Sequence, residues 1–408
     1  MSSGGRQCTI CLVAGDVSGD DNAGHLAAAI RQLAPAVRLV GAGGSAMRAA
    51  GVEIAVETTD LSAVGVLDSV RMLPQLVARF RRWQRLVRSA RPDLVVLVDS
   101  ETVNAPAALW LYRRRVPVAF FFPPQVWLWG RWRLPAIVPL ARRVISAFQP
   151  EAALYAQAGA DTVWVGHPLR ELVQVSEDAP AALGALGLDP SRPLVALMPG
   201  SRTNEVRRLA PAILGAARIL QARDPALQFA LPLASDALRA EVERQVAASG
   251  VRGVVLYRPQ SYAVLSQARV VLQCSGTATL EAALLGIPAV IVYRCIAIEY
   301  LVGRYLLIDA PFIGMPNILL GEMVQPEFFH RHADAEHIAA EAWSLLTDEC
   351  RRQRVRAQLA GIAGLLGPPG AFARAAQAVV GLLPPAAELM PVPAPGNGDD
   401  CGRRAQAR

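Results

Sequence analysis

The chain of 408 residues contains no lysine, so all 41 of its basic residues are arginines, against 34 acidic residues. A GC-rich genome accounts for the absence of lysine without any functional cause. The resulting net charge of +7 still favours a partner that carries phosphates, such as a nucleotide, a nucleic acid or an anionic lipid. Composition alone therefore suggests a class of partner and leaves its identity open.

Cysteine is sparse: six residues are scattered along the chain, which excludes a disulfide-rich scaffold. Cys8 and Cys11 form a C-x-x-C pair, but on a predicted strand two residues three apart face opposite sides of a sheet. No second pair completes a zinc site, and His330 and His332 beside Glu327 lack the spacing of metal ligands. We expect reduced thiols, a cytoplasmic protein, and neither a metal nor a cofactor.

Long hydrophobic runs are also missing. The longest apolar stretch covers residues 117–130 and contains prolines, well short of the roughly 20 residues that a membrane-spanning helix needs. The apolar run after Met1 is interrupted by Asp16 and Asp20, unlike a signal peptide. The sequence therefore predicts a chain that can lie on a bilayer without crossing it.

Short apolar runs alternate with segments of helical period, which predicts an α/β fold of two doubly wound domains with a cleft between them. The predicted strands are 8–15, 37–43, 93–99, 117–122, 143–148 and 162–166, then 194–198, 228–232, 251–257, 270–274 and 289–293. The predicted domains are 1–168 and 193–365, with a hinge at 169–192, a C-terminal helix at 366–383 and a disordered tail at 384–408.

Two strand ends in the second domain are suited to bind an anion. The first is the turn at Ser275, Gly276 and Thr277, which opens a helix containing Thr279 and Glu281. Free backbone amides and hydroxyls at such a helix start can hold a diphosphate. The other is the run Gly200, Ser201, Arg202 before Glu205, where a guanidinium offers planar donors to phosphate oxygens. Together they predict a domain that holds a nucleoside diphosphate, although either turn could simply cap a helix.

The first domain has acidic strand ends instead. Asp16, Ser18 and Asp20 form a turn that suits sugar hydroxyls better than phosphates. Asp99 ends another predicted strand, where a carboxylate facing the cleft could act as a general base or simply cap the helix that follows. Further candidate cleft residues are Glu101, Asn104, Trp127 and His167.

Two segments have the composition of a lipid-facing surface. Residues 77–91 interleave Phe80 and Trp83 with Arg79, Arg81, Arg82, Arg85 and Arg88, which is typical either of an interfacial amphipathic helix or of a core helix with a solvated arginine face. Residues 120–132 add Phe121, Phe122 and Trp129, rings that can line an acyl-chain groove or anchor at headgroup level.

Seven motifs in order resemble the lipid-A-disaccharide synthase family over about residues 8–383. They are A-G-D-x-S-G-D from Ala14, G-A-G-G from Gly41, P-P-Q-V-W-L-W from Pro123, G-H-P-L from Gly166, L-M-P-G-S-R from Leu197, S-G-T-A-T-L-E from Ser275, and M-P-N from Met315 with P-E from Pro326. The resemblance implies two Rossmann-like domains of GT-B type. It also implies an inverting, metal-independent glycosyltransferase that joins UDP-2,3-diacylglucosamine to 2,3-diacylglucosamine 1-phosphate.

The resemblance further implies roles for individual residues. Asp99 would deprotonate the acceptor 6-hydroxyl, Arg202 and the turn 275–279 would stabilise the departing UDP, and Glu281 would hold the ribose. Asn317 lies in the last shared motif and is added to the donor site. The family acts on the cytoplasmic face of the inner membrane of Gram-negative bacteria and tends to form a dimer that exchanges C-terminal elements.

Asp16, Thr102 and Arg170 depart from the residues usual in that family, so a diverged paralogue with another acceptor is one alternative. A second alternative is an epimerase that acts on UDP-N-acetylglucosamine and has the same two-domain architecture. Its soluble substrate would give the apolar and arginine-rich segments no function. A third is a basic nucleic-acid-binding protein, although no nucleic-acid-binding module is recognisable.

Overall fold

The computed structural model describes residues 7–58, 66–175, 178–259, 261–294 and 311–384. Two parallel sheets account for the strands. The first contains β1 Thr9–Ala14, β2 Arg38–Gly43, β3 Glu53–Glu57, β4 Leu94–Val98, β5 Val118–Phe121, β6 Arg143–Ser146 and β7 Thr162–Trp164. The second contains β8 Leu194–Met198, β9 Gln228–Pro232, β10 Val254–Tyr257, β11 Ala268–Cys274, β12 Ala289–Tyr293 and β13 Glu327–Phe329.

Helices connect the strands and cover both faces of each sheet. In the first half they are Val17–Leu33, Ser45–Ala49, Val66–Ala90, Glu101–Tyr112, Leu134–Ile137, Gln149–Gln157 and Leu169–Leu172. In the second half they are Ala179–Ala185, Thr203–Arg223, Arg239–Ser249, Ala263–Ser266, Ala278–Leu284, Met315–Leu320, Ala335–Thr347, Glu349–Leu359, Ile362–Leu365 and Ala371–Val380. The prediction of two doubly wound α/β domains is confirmed.

The strand order creates one reversal in each sheet. The first sheet runs β3-β2-β1-β4-β5-β6-β7, and the second runs β10-β9-β8-β11-β12-β13. The order changes direction between β1 and β4 and between β8 and β11, where crossover connections leave a crevice at the carboxyl ends of the strands. Asp16 and Asp99 follow β1 and β4, while the turns at Gly200 and Ser275 follow β8 and β11. All four predicted strand-end motifs therefore lie at the two reversal points.

Apolar clusters fill both faces of each sheet. Cys8 and Cys11 belong to different clusters on opposite faces of the first sheet, as the spacing predicts, and neither forms a disulfide with another described cysteine. One cluster of the second sheet also includes Trp127, Phe148 and Leu169 from the first half of the chain. This shared core joins the two halves next to the cleft.

The last helix, Ala371–Val380, packs against the first sheet's side of the molecule rather than the second's. Phe372 stacks on His25 with ring centroids 4.9 Å apart and contacts Phe121 edge-on. Glu171 accepts hydrogen bonds from the amides of Gly370 and Phe372 at 3.1 and 3.2 Å, so it caps the returning helix. The predicted tail lies, apart from Pro384, outside the described residues.

Two strands are missing from the sequence-based prediction, and one predicted helix starts later than the observed one. Strands β3 and β13 were not predicted because both are short edge strands with glutamate at an end and little burial. The helix predicted at residues 77–91 begins earlier, at Val66, and continues through Pro74. Aromatic side chains on that helix point inward: Trp83 is 3% exposed and packs against Trp110, and Phe80 is partly buried beside it.

Asp20 is a structural residue rather than a cleft residue, which corrects the prediction. Its buried carboxylate accepts hydrogen bonds from the amides of Gly44, Ala46 and Met47 at 2.6, 2.9 and 3.3 Å, and so joins the first helix to the turn after β2.

We expect Asp20→Ala to lower the free energy of unfolding by about 3 kcal/mol in chemical denaturation, because three amides lose a charged acceptor. Asp21→Ala, the adjacent control, should change it by less than about 0.5 kcal/mol. Equal effects of the two substitutions would contradict this role.

Candidate active site

A cavity of about 560 Å³ opens between the carboxyl ends of the two sheets. Its lining includes Ser18, Asp99 and His167 from the first half of the chain. Ser275, Gly276, Thr277 and Glu281 line it from the second half. The volume suits one ligand of moderate size. Strand ends of both sheets therefore face one shared cavity.

Asp99 is held in an unusual backbone conformation. Asp99 and Ser100 both have positive φ, at 50° and 41°, a left-handed region that costs free energy for residues other than glycine. Asn104 stabilises this turn by donating its side-chain amide to the carbonyls of Val98, at 3.1 Å, and of Asp99. The buried Asn104 therefore positions Asp99 and does not line the cavity, which corrects its prediction as a cleft residue.

Burial, together with the like charge of Asp16, raises the pKa of Asp99 to about 6. The Ser100 amide, which donates to the Asp99 carboxylate at 2.8 Å, and the positive charge of Arg202 oppose this rise. A carboxylate whose pKa lies just below neutral pH is ionised under working conditions and accepts a proton more readily than an ordinary aspartate. Asp99 thus has the electrostatics of a general base.

Asp16 and Arg202 face each other across the cleft. The Asp16 side chain accepts from the amide of Gly19 at 2.8 Å, which caps the first helix, and its other oxygen lies 3.7 Å from a guanidinium nitrogen of Arg202. Arg202 is also 3.3 Å from Glu205. Glu205 in turn accepts from the amides of Ser201 and Arg202, so it shapes the turn after β8 rather than pointing freely at a ligand. The side chain of Arg202 itself is half-exposed.

The turn after β11 presents small groups to the cavity. Gly276 has φ of 153°, which a side chain would strain, and Gly276 and Thr277 are exposed. Ser275 is committed elsewhere, because its hydroxyl donates to the carbonyl of Ile313 at 2.6 Å. Thr279 is fully buried and donates to the carbonyl of Gly276 at 2.7 Å, so it supports the turn and does not contact the cavity, contrary to the prediction.

Asn317 is another predicted donor-site residue that the structure assigns to the core. Its amide donates to the carbonyl of Gln325 at 2.6 Å and to Glu327 at 2.7 Å, and its oxygen accepts from the amides of Val324 and Gln325. All its hydrogen bonds are therefore made inside the protein. It fixes the loop that carries Ile313 to the cavity wall, since Glu327 accepts from the Ile313 amide at 2.8 Å.

His167 lies on the cavity wall as a neutral ring. Burial lowers its pKa to about 3, and its Nδ1 accepts from the amide of Leu169 at 3.2 Å. That hydrogen bond assigns the proton to Nε2. Phe122 and Phe148 pack around the ring with centroids 5.6 and 4.9 Å away. His167 can thus donate one hydrogen bond without carrying charge.

The predicted aromatic residues divide into cavity, core and surface positions. Phe122 lines the cavity, whereas Phe121 is fully buried behind it and Trp127 packs behind Phe148. Phe121 and Trp83 therefore cannot contact lipid, which corrects the prediction. Trp129 is partly exposed, with the guanidinium of Arg133 3.7 Å from its ring. The side chain of Glu101 lies outside the described residues.

Glu151 was missed by the sequence analysis. Burial raises its pKa to about 8, with a further contribution from the charge of Asp99, and Ser146 donates to it at 2.6 Å. It is therefore a neutral acid at pH 7, and a neutral group adds no further negative charge near Asp99. A single glutamate inside a predicted helix carries no signal that would have revealed this burial.

Comparison with solved structures defines the fold class of the protein. The fold resembles that of UDP-GlcNAc 2-epimerase from Neisseria meningitidis, solved with UDP-GlcNAc bound. The TM-score is 0.59 at 12% identity, and the match covers 91% of this chain and 98% of that one. MurG from Acinetobacter baumannii has a TM-score of 0.55 at 13% identity, covering 92% and 100%. At such identities the likeness shows the fold alone, and the class is that of two-domain GT-B proteins.

The family follows from the sequence matches. The family model described as lipid-A-disaccharide synthetase matches residues 10–364. A relative from Geobacter metallireducens, named lipid-A-disaccharide synthase, is 38% identical over 92% of this chain and 97% of its own length. Another from Myxococcus xanthus is 35% identical over 92% and 98%. The chain belongs to the lipid-A-disaccharide synthetase family, and it is a glycosyltransferase with a UDP-sugar donor and a lipid acceptor.

Proposed function

We propose that the chain condenses UDP-2,3-diacylglucosamine with 2,3-diacylglucosamine 1-phosphate and releases UDP. The observation that carries this proposal is the placement of Asp99, with its raised pKa, on the same cavity as the turn at Gly276 and Thr277. A base on one wall and anion-binding donors on the other suit a displacement in which nucleophile and leaving group are in line.

In this reaction Asp99 takes the proton of the acceptor 6-hydroxyl as that oxygen attacks the anomeric carbon of the donor. The bond from the anomeric carbon to the diphosphate breaks with inversion, and its electrons pass to UDP. Arg202 and the amides of Gly276 and Thr277 stabilise the charge that develops there. Glu281, which lines the cavity beside Tyr262, holds the ribose, and the neutral His167 donates to a sugar hydroxyl.

The apolar part of the cavity suits the acyl chains nearest the sugars. Phe122, Leu128 and Phe148 line it from one side, and Ile313 and Met315 from the other. A volume of about 560 Å³ is too small for both substrates with their acyl chains, so these chains extend beyond the cavity toward the surface.

Incubating the purified protein with both diacylglucosamine substrates tests the proposal. Mass spectrometry should detect the disaccharide and UDP in equal amounts. Conversion of the UDP-sugar into an isomer without lipid acceptor would instead support an epimerase, and product formation only with acceptors of another structure would support a diverged paralogue.

The pH dependence provides a separate prediction. Because Asp99 must be ionised, kcat/KM should fall about tenfold per pH unit below its pKa of about 6. Asp16→Asn removes a like charge while keeping a helix cap, and should move this acid limb to lower pH. Asp236→Asn, at an exposed site, should leave the limb in place. An unchanged limb in Asp16→Asn would argue against Asp99 as the titrating base.

We further propose that the first domain docks on the cytoplasmic face of the inner membrane. None of the described helices is long and apolar enough to span a bilayer. Helices Val66–Ala90 and Glu101–Tyr112 lie side by side through Trp83 and Trp110. Exposed apolar side chains on or near these helices include Val77, Leu109 and Tyr112, and Trp132 elsewhere in the domain is 72% exposed. Arginines nearby add the charge that anionic headgroups attract.

Vesicle sedimentation tests this docking surface. Trp132→Ala should weaken binding to phosphatidylglycerol vesicles, because a largely exposed ring is lost from the interface. Met323→Ala removes an exposed apolar side chain from the second domain and serves as the control. Equal binding by wild type and Trp132→Ala would contradict the proposed orientation.

A further inference from the structure

A second cavity, of about 360 Å³, lies at the opposite edge of the second sheet. Leu194 and Ala268, the first residues of β8 and β11, line it, so it opens where these strands begin. The active-site cavity lies where the same strands end. Five residues of strand separate the two edges by about 17 Å. The second cavity is therefore independent of the cleft that holds Asp99.

We call this second cavity the arginine cavity, because most of the charged side chains on its wall are arginines. Its wall contains Arg192, Arg269, Arg352 and Arg356, with Glu349 as the single acidic residue of the lining. Ser191, Ser266 and Gln267 are its polar neutral side chains. Four positive charges around one carboxylate leave an excess of positive charge at a concave surface, which attracts anions.

Contacts with the surrounding protein neutralise only part of this charge. Arg192 donates to the carbonyls of Ala226 and Pro225, at 2.9 and 3.1 Å, which fixes its guanidinium, and the carboxylate of Asp189 is its acidic neighbour. Within the described part of the chain, Arg269 and Arg356 have no ion pair. Both are exposed at the cavity mouth. Their guanidinium donors are therefore available to a ligand.

Arg352 forms the floor of the cavity and is only 3% exposed. It donates to the carbonyls of Leu345 and Leu346 at 2.8 and 2.9 Å and pairs with Glu349. Burial lowers the pKa of Arg352, and the charges of Arg269 and Arg356 lower it further, while Asp348 opposes this effect. The three guanidinium groups thus repel one another across the cavity, and an anion placed between them would relieve that repulsion.

We propose that the arginine cavity binds a phosphate-bearing anion at a site separate from the active site. Guanidinium groups at the mouth and floor offer planar pairs of donors that match phosphate oxygens. The hydroxyls of Ser191 and Ser266 already donate to Asp189 and to the carbonyl of Ala263, each at 2.7 Å, so the guanidinium groups supply the donors to the anion. The same chemistry is found on a free phosphorylated metabolite and on a phospholipid headgroup at the membrane.

Binding of inorganic phosphate to the full-length protein provides the first test. Titration calorimetry and thermal unfolding are run at constant ionic strength, with chloride replaced by phosphate. The variant Arg269→Gln/Arg356→Gln removes the two exposed charges and leaves the buried Arg352 in place. We expect it to bind phosphate about tenfold more weakly than the wild type, or worse.

The matched control is Arg218→Gln/Arg252→Gln, which removes two exposed arginines that line neither cavity. It should bind phosphate like the wild type. Equal phosphate affinity in the wild type and the cavity variant would overturn the proposal, because the anion would then be bound elsewhere. Absence of binding by the wild type would overturn it as well.

Vesicles distinguish the two sources of phosphate. If the natural ligand is a headgroup, the cavity variant should also sediment less with phosphatidylglycerol vesicles, whereas the control variant should not. If it is a free metabolite, vesicle binding should be unchanged while phosphate binding is lost. Both results support an anion site, and neither depends on disaccharide formation.

Discussion

Asp99→Asn should reduce kcat for disaccharide formation by about 10²- to 10⁴-fold, the usual contribution of a general base. The substitution is nearly isosteric, and asparagine tolerates the left-handed backbone that Asp99 adopts. Loss of activity would therefore reflect the missing base rather than a changed fold. Steady-state kinetics with saturating donor measure the effect.

The same substitution should stabilise the protein at alkaline pH. The raised pKa of Asp99 means that its ionised form is disfavoured in the folded state. This penalty is fully present above pH 6 and disappears as pH falls below the ordinary value of 3.8. Removing the charge should raise the free energy of unfolding by about 1–3 kcal/mol at pH 8 and leave it unchanged near pH 3.

Asp236→Asn is the control for both measurements, since it makes the same chemical change at an exposed site. It should alter neither turnover nor stability. Full activity in Asp99→Asn would exclude Asp99 as the base. A loss of activity together with a loss of stability at pH 8 would show that the substitution damages the site's structure.

Arg202→Ala should reduce kcat/KM by about 10²- to 10³-fold, because the guanidinium stabilises charge on the departing diphosphate. Arg202 also lowers the pKa of Asp99, so its removal should move the acid limb of the pH profile upward. A residue that merely supported the fold would not shift that limb. Calorimetry with UDP should show weaker binding in the same variant.

Arg202→Lys keeps the charge but loses the planar fork, and should fall between the wild type and Arg202→Ala. Arg218→Ala, on the exposed face of the helix that Arg202 precedes, should behave as wild type. Unchanged turnover in Arg202→Ala would mean that the turn after β11 stabilises the leaving group without help from the turn after β8.

Fold class and strand ends were predictable because parallel strands buried on both faces read as continuous apolar runs. Asp99 and the turns at Gly200 and Ser275 follow such runs directly, so their shared edge could be inferred. Single side chains were harder to place. Asp20 and Asn317 stand in the expected motifs and Asn104 follows a predicted strand end, yet each satisfies backbone groups inside the protein.

Family membership also could be read from the chain alone, since seven short motifs occur in order and the family model matches residues 10–364. The direction in which the aromatic side chains point could not be read from the chain alone. Trp83 and Phe121 have the composition of a lipid-facing surface, but packing against Trp110 and Phe372 buries both. Periodicity identifies the apolar face of a helix without saying whether protein or lipid covers it.

The sequence by itself determined the two sheets, the acidic and anion-binding strand ends, and the family. Only the tertiary structure decided that the last helix returns to the first sheet's side of the molecule, that Glu151 is a buried neutral acid, and that four arginines from distant segments line one cavity. The reason is physical: local sequence sets backbone conformation, whereas burial, pKa and charge clustering depend on contacts between residues far apart in the chain.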